Sequence, residues 1–314
     1  MTAGIRTVLR SGRRSPRRAA RFVTVLGIVL VVGALVAACD SGLPTPSASP
    51  SLAPVATPTV TVYPLGTTIW YAGLELTFSQ ATAEIGQYGG NVTVPTSFEN
   101  PTSIDQQLVA PIQLVVGGKR IDVEHGTELP TVPAGGTSDL TLTFDVVGSS
   151  TVDGAAIEVG GGDTNQAIVP LRSGGSLAAV PLEPQALAVT GTANAADLRV
   201  VVRSGELRWD LPDWADELAR GRAVITVWYD ATYRGTFSGG LAFTADAVRL
   251  TIPDGSTVAP RRDGHSQSVV LLLPGTTQAG LSSRFEIPSG ETGAYVLTIR
   301  NGSARATVRF TISR

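Results

Sequence analysis

The chain has 314 residues, room for two ordinary domains beyond an N-terminal leader. Its formal net charge of −2 hides an asymmetry: seven of the 24 basic residues fall within the first 21 positions, where no acid occurs. Beyond Ala38 the chain carries 17 basic against 26 acidic residues, a net −9. That surface repels phosphate backbones and offers no basic groove interleaved with aromatics, which excludes nucleic acid as a partner.

Arg6, Arg10, Arg13, Arg14, Arg17, Arg18 and Arg21 precede an apolar run over residues 22–38, which ends in small residues. A positive region, an apolar region and a small-residue end make a secretory signal, so residues 1–38 read as a signal peptide. Cys39 follows at once and is the chain's only cysteine, which rules out an intramolecular disulfide framework. The ending Val36-Ala37-Ala38-Cys39 resembles the lipobox of bacterial lipoproteins. The resemblance implies cleavage before Cys39 and attachment to the membrane through lipid on its thiol. A retained signal-anchor helix is the alternative; either way the N-terminus faces inward and the bulk lies outside the cell.

Residues 39–59 are dense in Pro, Ser, Thr and Ala, which cannot bury a core, and read as an extended linker. Over residues 60–172 the period becomes two. Leu74, Leu76 and Phe78 alternate with polar residues, and Gly117-Gly118 marks a hairpin. Leu140, Leu142, Phe144 and Val146 face one way from a clean strand. Turn signals every 8–12 residues indicate a β-sandwich. Residues 173–186, rich in Gly and Pro, read as an interdomain linker. Residues 187–314 then repeat the pattern, with alternation at Leu198, Val200 and Val202, at Ala223, Ile225, Val227 and Tyr229, and at Ala306, Val308, Phe310 and Ile312.

In the first module a strand runs into Phe98-Glu99-Asn100-Pro101-Thr102, Pro133-Ala134-Gly135-Gly136 precedes an alternating strand, and Val169-Pro170-Leu171 closes the module. With these features the chain resembles the telokin-like, immunoglobulin-like modules of Gram-positive lipoproteins. The second module has Asp230-Ala231-Thr232 where the first has its Asn-Pro turn. The resemblance implies two tandem immunoglobulin-like β-sandwiches, an all-β fold, and an extracellular binding role with no catalytic residues.

One insertion interrupts the β pattern at residues 209–221. Asp210 reads as an N-cap, Pro212 as first turn, Asp213 as the capping-box acid and Gly221 as the stop of a helix of about two turns. Leu211, Trp214 and Leu218 would pack on the sandwich. Asp210, Asp213, Asp216 and Glu217 cluster there; Asp210, Asp213 and Asp216 are the candidate ligands for calcium, although acids in a capped first turn need no metal. The loop over residues 160–165 reads as a hairpin turn. His125 and His265 lie in loops without metal-ligand or triad spacing, and no phosphate-binding glycine loop or nucleophile elbow occurs. Neither a catalytic residue nor a cofactor is therefore assigned. Trp70, Tyr71, Trp214 and Tyr233 are candidate contacts for a ligand, while most of the four tryptophans are expected in the cores.

These readings point to a membrane-anchored extracellular module that binds a protein, an envelope polymer or a small ligand. Two alternatives stand beside it: a hydrolase using Asp210, Asp213, Asp216 or His265 in a cleft between the modules, and a spacer or accessory subunit of an envelope complex.

Overall fold

The computed structural model describes residues 57–149, 151–172, 178–264, 266 and 268–313. The leader, Cys39, most of the 39–59 linker, residues 173–177 and His265 lie outside them. Among the described residues no helix is long and apolar enough to cross a membrane.

The fold is all-β. The first half contains β1 (Thr59–Tyr71), β2 (Leu74–Gly86), β3 (Gly89–Glu99), β4 (Gln106–Gln107), β5 (Ile112–Val116), β6 (Lys119–Asp122), β7 (Thr131–Val132), β8 (Thr137–Val147), β9 (Ala156–Val159) and β10 (Ala167–Pro170). An antiparallel sheet ordered β1-β2-β3-β8 and a second ordered β10-β9-β5-β6 both contribute to one hydrophobic core. Alternation decides which side chains enter it. Leu74, Leu76, Phe78, Leu142, Phe144 and Val146 are buried, and their polar neighbours along the strands are not.

The second half contains β11 (Gln185–Leu187), β12 (Gly191–Ala195), β13 (Leu198–Arg208), β14 (Asp210–Leu211), β15 (Asp216–Glu217), β16 (Arg222–Tyr233), β17 (Leu241–Thr244), β18 (Val248–Thr251), β19 (Thr257–Val258), β20 (Val269–Leu272), β21 (Thr277–Pro288), β22 (Gly293–Asn301) and β23 (Ala304–Ile312). A sheet ordered β11-β13-β16-β21, with β12 beside β13, and one ordered β19-β18-β22-β23 share a second core with the ribbon β17-β20. Tyr295 stacks on Phe310 with centroids 5.3 Å apart, and Tyr229 meets Phe243 edge to face at 6.1 Å. Such pairs add about 1 kcal/mol each beyond their buried area. Both halves are compatible with β-sandwich modules, and the described residues belong to one compact unit.

Two expectations are corrected. None of the four tryptophans is fully buried; the large core positions are filled by Tyr71, Tyr229, Tyr295 and phenylalanines. The insertion forms no two-turn helix either. Pro212–Trp214 is a single 3₁₀ turn with Leu211 at its N-terminal flank and no side-chain cap, and the residues on either side pair as strands. Leu211 and Leu218 are buried with Val224 in a small cluster of their own, while Trp214 stays 53% exposed. Tertiary contacts have overridden local helix signals here, because the acids meant for capping are engaged elsewhere.

The Asn-Pro turn of the first half has a clear basis. Asn100 is fully buried, and its amide makes four bonds. Nδ2 donates to the Ile104 carbonyl at 2.7 Å and the Val132 carbonyl at 3.0 Å; Oδ1 accepts from the Thr102 amide at 3.0 Å and the Thr102 hydroxyl at 2.7 Å. Replacing it strands the buried Val132 carbonyl and removes the bonds that hold the turn at Thr102 and Ile104. The variant Asn100→Ala is expected to lose about 3 kcal/mol of stability, measured by urea unfolding; a loss under about 1 kcal/mol would mean that water replaces the side chain.

Candidate functional site

Three of the sequence-derived candidates, Tyr71, Asp210 and Asp216, lie with Glu217 where the segment between β13 and β16 reaches the first half. Asp210 and Glu217 are directly opposed in the β14–β15 pair. Opposed residues of an antiparallel pair share a face, so the two carboxyls project together. They meet the hairpin turn joining β1 to β2. There Ala72 (φ 50°) and Gly73 (φ 87°) are both left-handed, as a two-residue type I′ connection requires. Glu217 Oε2 accepts the Ala72 N–H at 3.1 Å, and Asp210 Oδ2 accepts the Gly73 N–H at 2.7 Å. Two successive amides are thus held by two adjacent carboxyls. Position 73 admits only glycine: a Cβ there would lie 2.8 Å from both Gln106 Oε1 and the Pro212 Cα.

The two carboxyls differ in charge. Asp210 is forked by Arg208, whose Nε donates to Oδ1 at 2.7 Å and Nη2 to Oδ2 at 3.2 Å. Burial alone would lower the Arg208 guanidinium, but its bonds to Asp210 and the charges of Asp210 and Glu206 outweigh this and hold it above its ordinary value. Among the described residues no cation pairs with Glu217. It is 8% exposed, its Oε1 lacks a hydrogen-bond partner, and burial, reinforced by the Asp210 charge, pushes its carboxyl up to about 9. At neutral pH it is therefore the neutral member of the pair.

Asn165, in the loop between β9 and β10, closes the junction from the other side. Its Nδ2 donates to the carbonyls of Trp209 at 3.2 Å and Arg222 at 3.0 Å, and its Oδ1 accepts the Gly221 N–H at 3.1 Å. Its own amide reaches the Leu218 carbonyl at 3.0 Å, and the Arg220 amide reaches the Asp163 carbonyl at 2.9 Å. Gln106 Nε2 donates to the Pro212 carbonyl at 2.6 Å. Beside this clamp runs a shallow cleft of about 220 Å³, with Tyr71, Val109, Asp163 and Thr164 on the first-core side and Asp216 and Glu217 opposite. Tyr71 shares a 2.9 Å hydrogen bond with the Thr164 hydroxyl, and burial pushes its phenol up to about 12. Val109 stands 91% exposed at the rim.

The acids singled out from the sequence are thus divided rather than convergent. Asp210 belongs to the clamp, Asp213 pairs with Arg284 at 2.6 Å, and Asp216 is exposed at the cleft. Among the described residues no group of three or more His, Cys, Asp or Glu is placed to hold a metal. Of the aromatics, Tyr71 lines the cleft and Trp214 sits on the 3₁₀ turn above the clamp. Trp70 is half-buried, its amide bonded to the Pro181 carbonyl, and Tyr233 is buried in the second core. The loop over 160–165 does join paired strands, but its Asn165 does far more than turn the chain. Arg208, Asn165 and the Ala72-Gly73 turn carry no local signal of this role beyond a glycine between two alternating runs.

The Glu217 shift fixes a pH dependence. An unfolded glutamate releases its proton near 4.5, and the folded one at about 9. Between these values the folded state holds a proton that the unfolded state lacks, so stability falls as pH rises through the window and levels off above it. The melting temperature is expected to decline across that range. In Glu217→Gln, which keeps an acceptor for Ala72 without a titrating proton, the decline should flatten; an unchanged slope would remove Glu217 as its source. Replacing Arg208 by Met strands a buried Asp210 charge and is expected to destabilise the fold by about 3–5 kcal/mol in a denaturant titration.

No protein-family model matches this chain, and no curated protein matches it either.

Proposed function

We propose that the protein is an extracytoplasmic lipoprotein, anchored through lipid on Cys39, whose two immunoglobulin-like modules bind a component of the cell envelope at their shared cleft. The modules are those of residues 60–172 and 187–314, raised from the membrane by the 39–59 linker. The observation that carries the binding reading is the clamp on Ala72 and Gly73. It ties the two cores together by directional hydrogen bonds, so a cleft walled by both is pre-organised, which lowers the entropy lost on binding. Exposed Val109 supplies apolar contact, and Asp163 and Asp216 supply acceptors.

A hydrolase using the same cleft is the second reading. It is favoured by one observation, a neutral Glu217 beside Asp216, since acid–base catalysis pairs carboxyls of unlike protonation. Against it, one Glu217 oxygen is taken by Ala72 and the other is buried, so neither is presented to a substrate. The Tyr71 and Thr164 hydroxyls bond to each other rather than to a base. A spacer without a ligand is the third reading, and the same experiment separates it from the first.

Two measurements test the proposal. Cys39→Ser should abolish lipid labelling and shift the protein out of the membrane fraction; unchanged labelling and partitioning would leave a signal-anchor instead. For the cleft, envelope material retained by the immobilised full chain is compared with that retained by Val109→Lys, a rim substitution exposed enough to leave the fold intact. Loss of a retained component in the variant supports the cleft, whereas identical retention moves recognition elsewhere or leaves a spacer.

A further inference from the structure

The chain beyond Ala38 carries a net −9, but its charge is not spread evenly over the folded part. Strands β18, β22 and β23 are neighbours in one antiparallel sheet, in which Leu250, Leu297, Ile299, Val308 and Phe310 face the second core. Alternation therefore turns Arg249, Thr298, Arg300, Arg305, Thr307 and Arg309 to the opposite, outer face. The register sets them in rows. Arg300 is directly opposed to Arg305, Thr298 lies between Arg249 and Thr307, and Arg309 follows next along β23 on the same face. No acid comes from these three strands.

Arg249 reaches Asp246 at 3.0 Å, and Asp246 is shared with Arg262. Among the described residues no acid pairs with Arg300, Arg305 or Arg309. Like charges directly opposed across a strand pair repel, and Nε of Arg300 is in addition buried without a hydrogen-bond partner. Charge on an edge strand keeps other chains from pairing with it, which accounts for Arg305 and Arg309 on β23. It does not account for Arg300 on the inner strand β22, where an acid opposite Arg305 would replace a repulsion by an ion pair. An oxyanion between the two guanidiniums removes that repulsion and supplies both with acceptors.

We propose that this face binds a linear phosphate-bearing polymer lying along β23. Opposed side chains of an antiparallel pair have Cβ atoms about 5 Å apart, so one phosphate spans Arg300 and Arg305. Arg309 stands four residues along β23 from Arg305, about 13 Å at roughly 3.3 Å per residue. The same phosphate does not reach it, and another on the same polymer does. Thr298 and Thr307, opposed between the two stations, offer hydroxyl donors to the stretch that joins them. Donors on several sides suit the tetrahedral oxygens of phosphate better than a carboxylate, whose two oxygens lie in one plane. No aromatic side chain projects from this face, so nothing stacks on bases, in keeping with the exclusion of nucleic acid. A lipid surface is the poorer match, because among the described residues no large apolar side chain is exposed on these strands to enter it. The acidic remainder of the surface steers a polyanion towards this patch. The inference is independent of the cleft reading, since none of these residues lines the cleft.

The probe is inorganic polyphosphate, titrated calorimetrically into the full chain purified in non-ionic detergent at low ionic strength. The wild type is expected to bind, and Arg305→Ser/Arg309→Ser to bind about tenfold or more weakly. Arg300→Gln should weaken binding as well. Lys119→Ser/Arg234→Ser, which removes two exposed charges elsewhere, should bind like the wild type. A retained leader would add arginines of its own, so the reading is the difference between these variants rather than the wild-type affinity alone. Far-UV circular dichroism checks folding, and if Arg300→Gln does not fold, the exposed pair Arg305 and Arg309 decides. A wild type that does not bind overturns the inference, as does equal weakening in the Lys119/Arg234 variant or none in the Arg305/Arg309 variant. Two further outcomes also overturn it. Polyglutamate binding as tightly would make the ligand a carboxylate, and displacement of polyphosphate by anionic phospholipid added to the micelles would make it a membrane surface.

Discussion

The structure depends on two backbone amides held by two carboxyls. The β1–β2 turn presents the Ala72 and Gly73 N–H groups in succession, and Asp210 with Glu217 accepts one each. Two buried carboxylates side by side would repel strongly, and the molecule resolves this unequally. Arg208 neutralises Asp210 by a forked ion pair, and Glu217 keeps its proton. The neutral acid still accepts from Ala72, so the clamp survives with one net cation–anion pair instead of two. Glycine at position 73 is part of the same device, because the approach of Pro212 leaves no room for a side chain.

This arrangement explains what was legible in the sequence. Strands were legible because a sheet with one buried face imposes a period of two, and Leu198, Val200 and Val202, like Leu142, Phe144 and Val146, are buried as the alternation requires. Strands covered on both faces depart from it: β9 is buried throughout, and in β16 Val224 and Thr226 are buried as well as Ala223, Ile225 and Val227, with Val224 packed against Leu211 and Leu218 of the insertion. The insertion itself was misread for a physical reason. Asp, Pro, Asp and a closing Gly are the residues of a capped helix, and they are equally the residues of a tight ribbon whose acids bond to another part of the chain. Nothing within thirteen residues distinguishes an acid that caps its own helix from one that caps a turn over a hundred residues away.

The polar residues buried at the junction share a second property. Asn165, Asp210 and Glu217, with Gln106 beside them, bridge stretches distant in sequence and bond mainly to backbone groups. Among the described residues the two large apolar cores are separate clusters, and Leu211, Leu218 and Val224 form a small third one. Apolar contact alone would let one core slide on the other, because the hydrophobic effect is non-directional. Hydrogen bonds fix the register instead. Asn100 does the same work inside the first half, and the corresponding strand of the second half has Asp230, which is held at the surface by Arg203 and the Gly280 amide.

Because the clamp uses a neutral acid and backbone amides for one of its two contacts, salt has little hold on that contact. The other is a buried ion pair, screened less than a surface one. Surface ion pairs such as Arg203 with Asp230 or Arg172 with Asp153 weaken more as salt rises. Acidity acts in the opposite sense from a salt-bridged interface. A carboxylate that needs its charge is lost on acidification, whereas burial and the Asp210 charge favour a protonated Glu217 although the Ala72 N–H by itself favours the charged form, so the fold gains stability as pH falls. The cleft beside it therefore keeps its shape under mildly acidic conditions, and the first change at the clamp with rising pH is the charging of Glu217 next to Asp210.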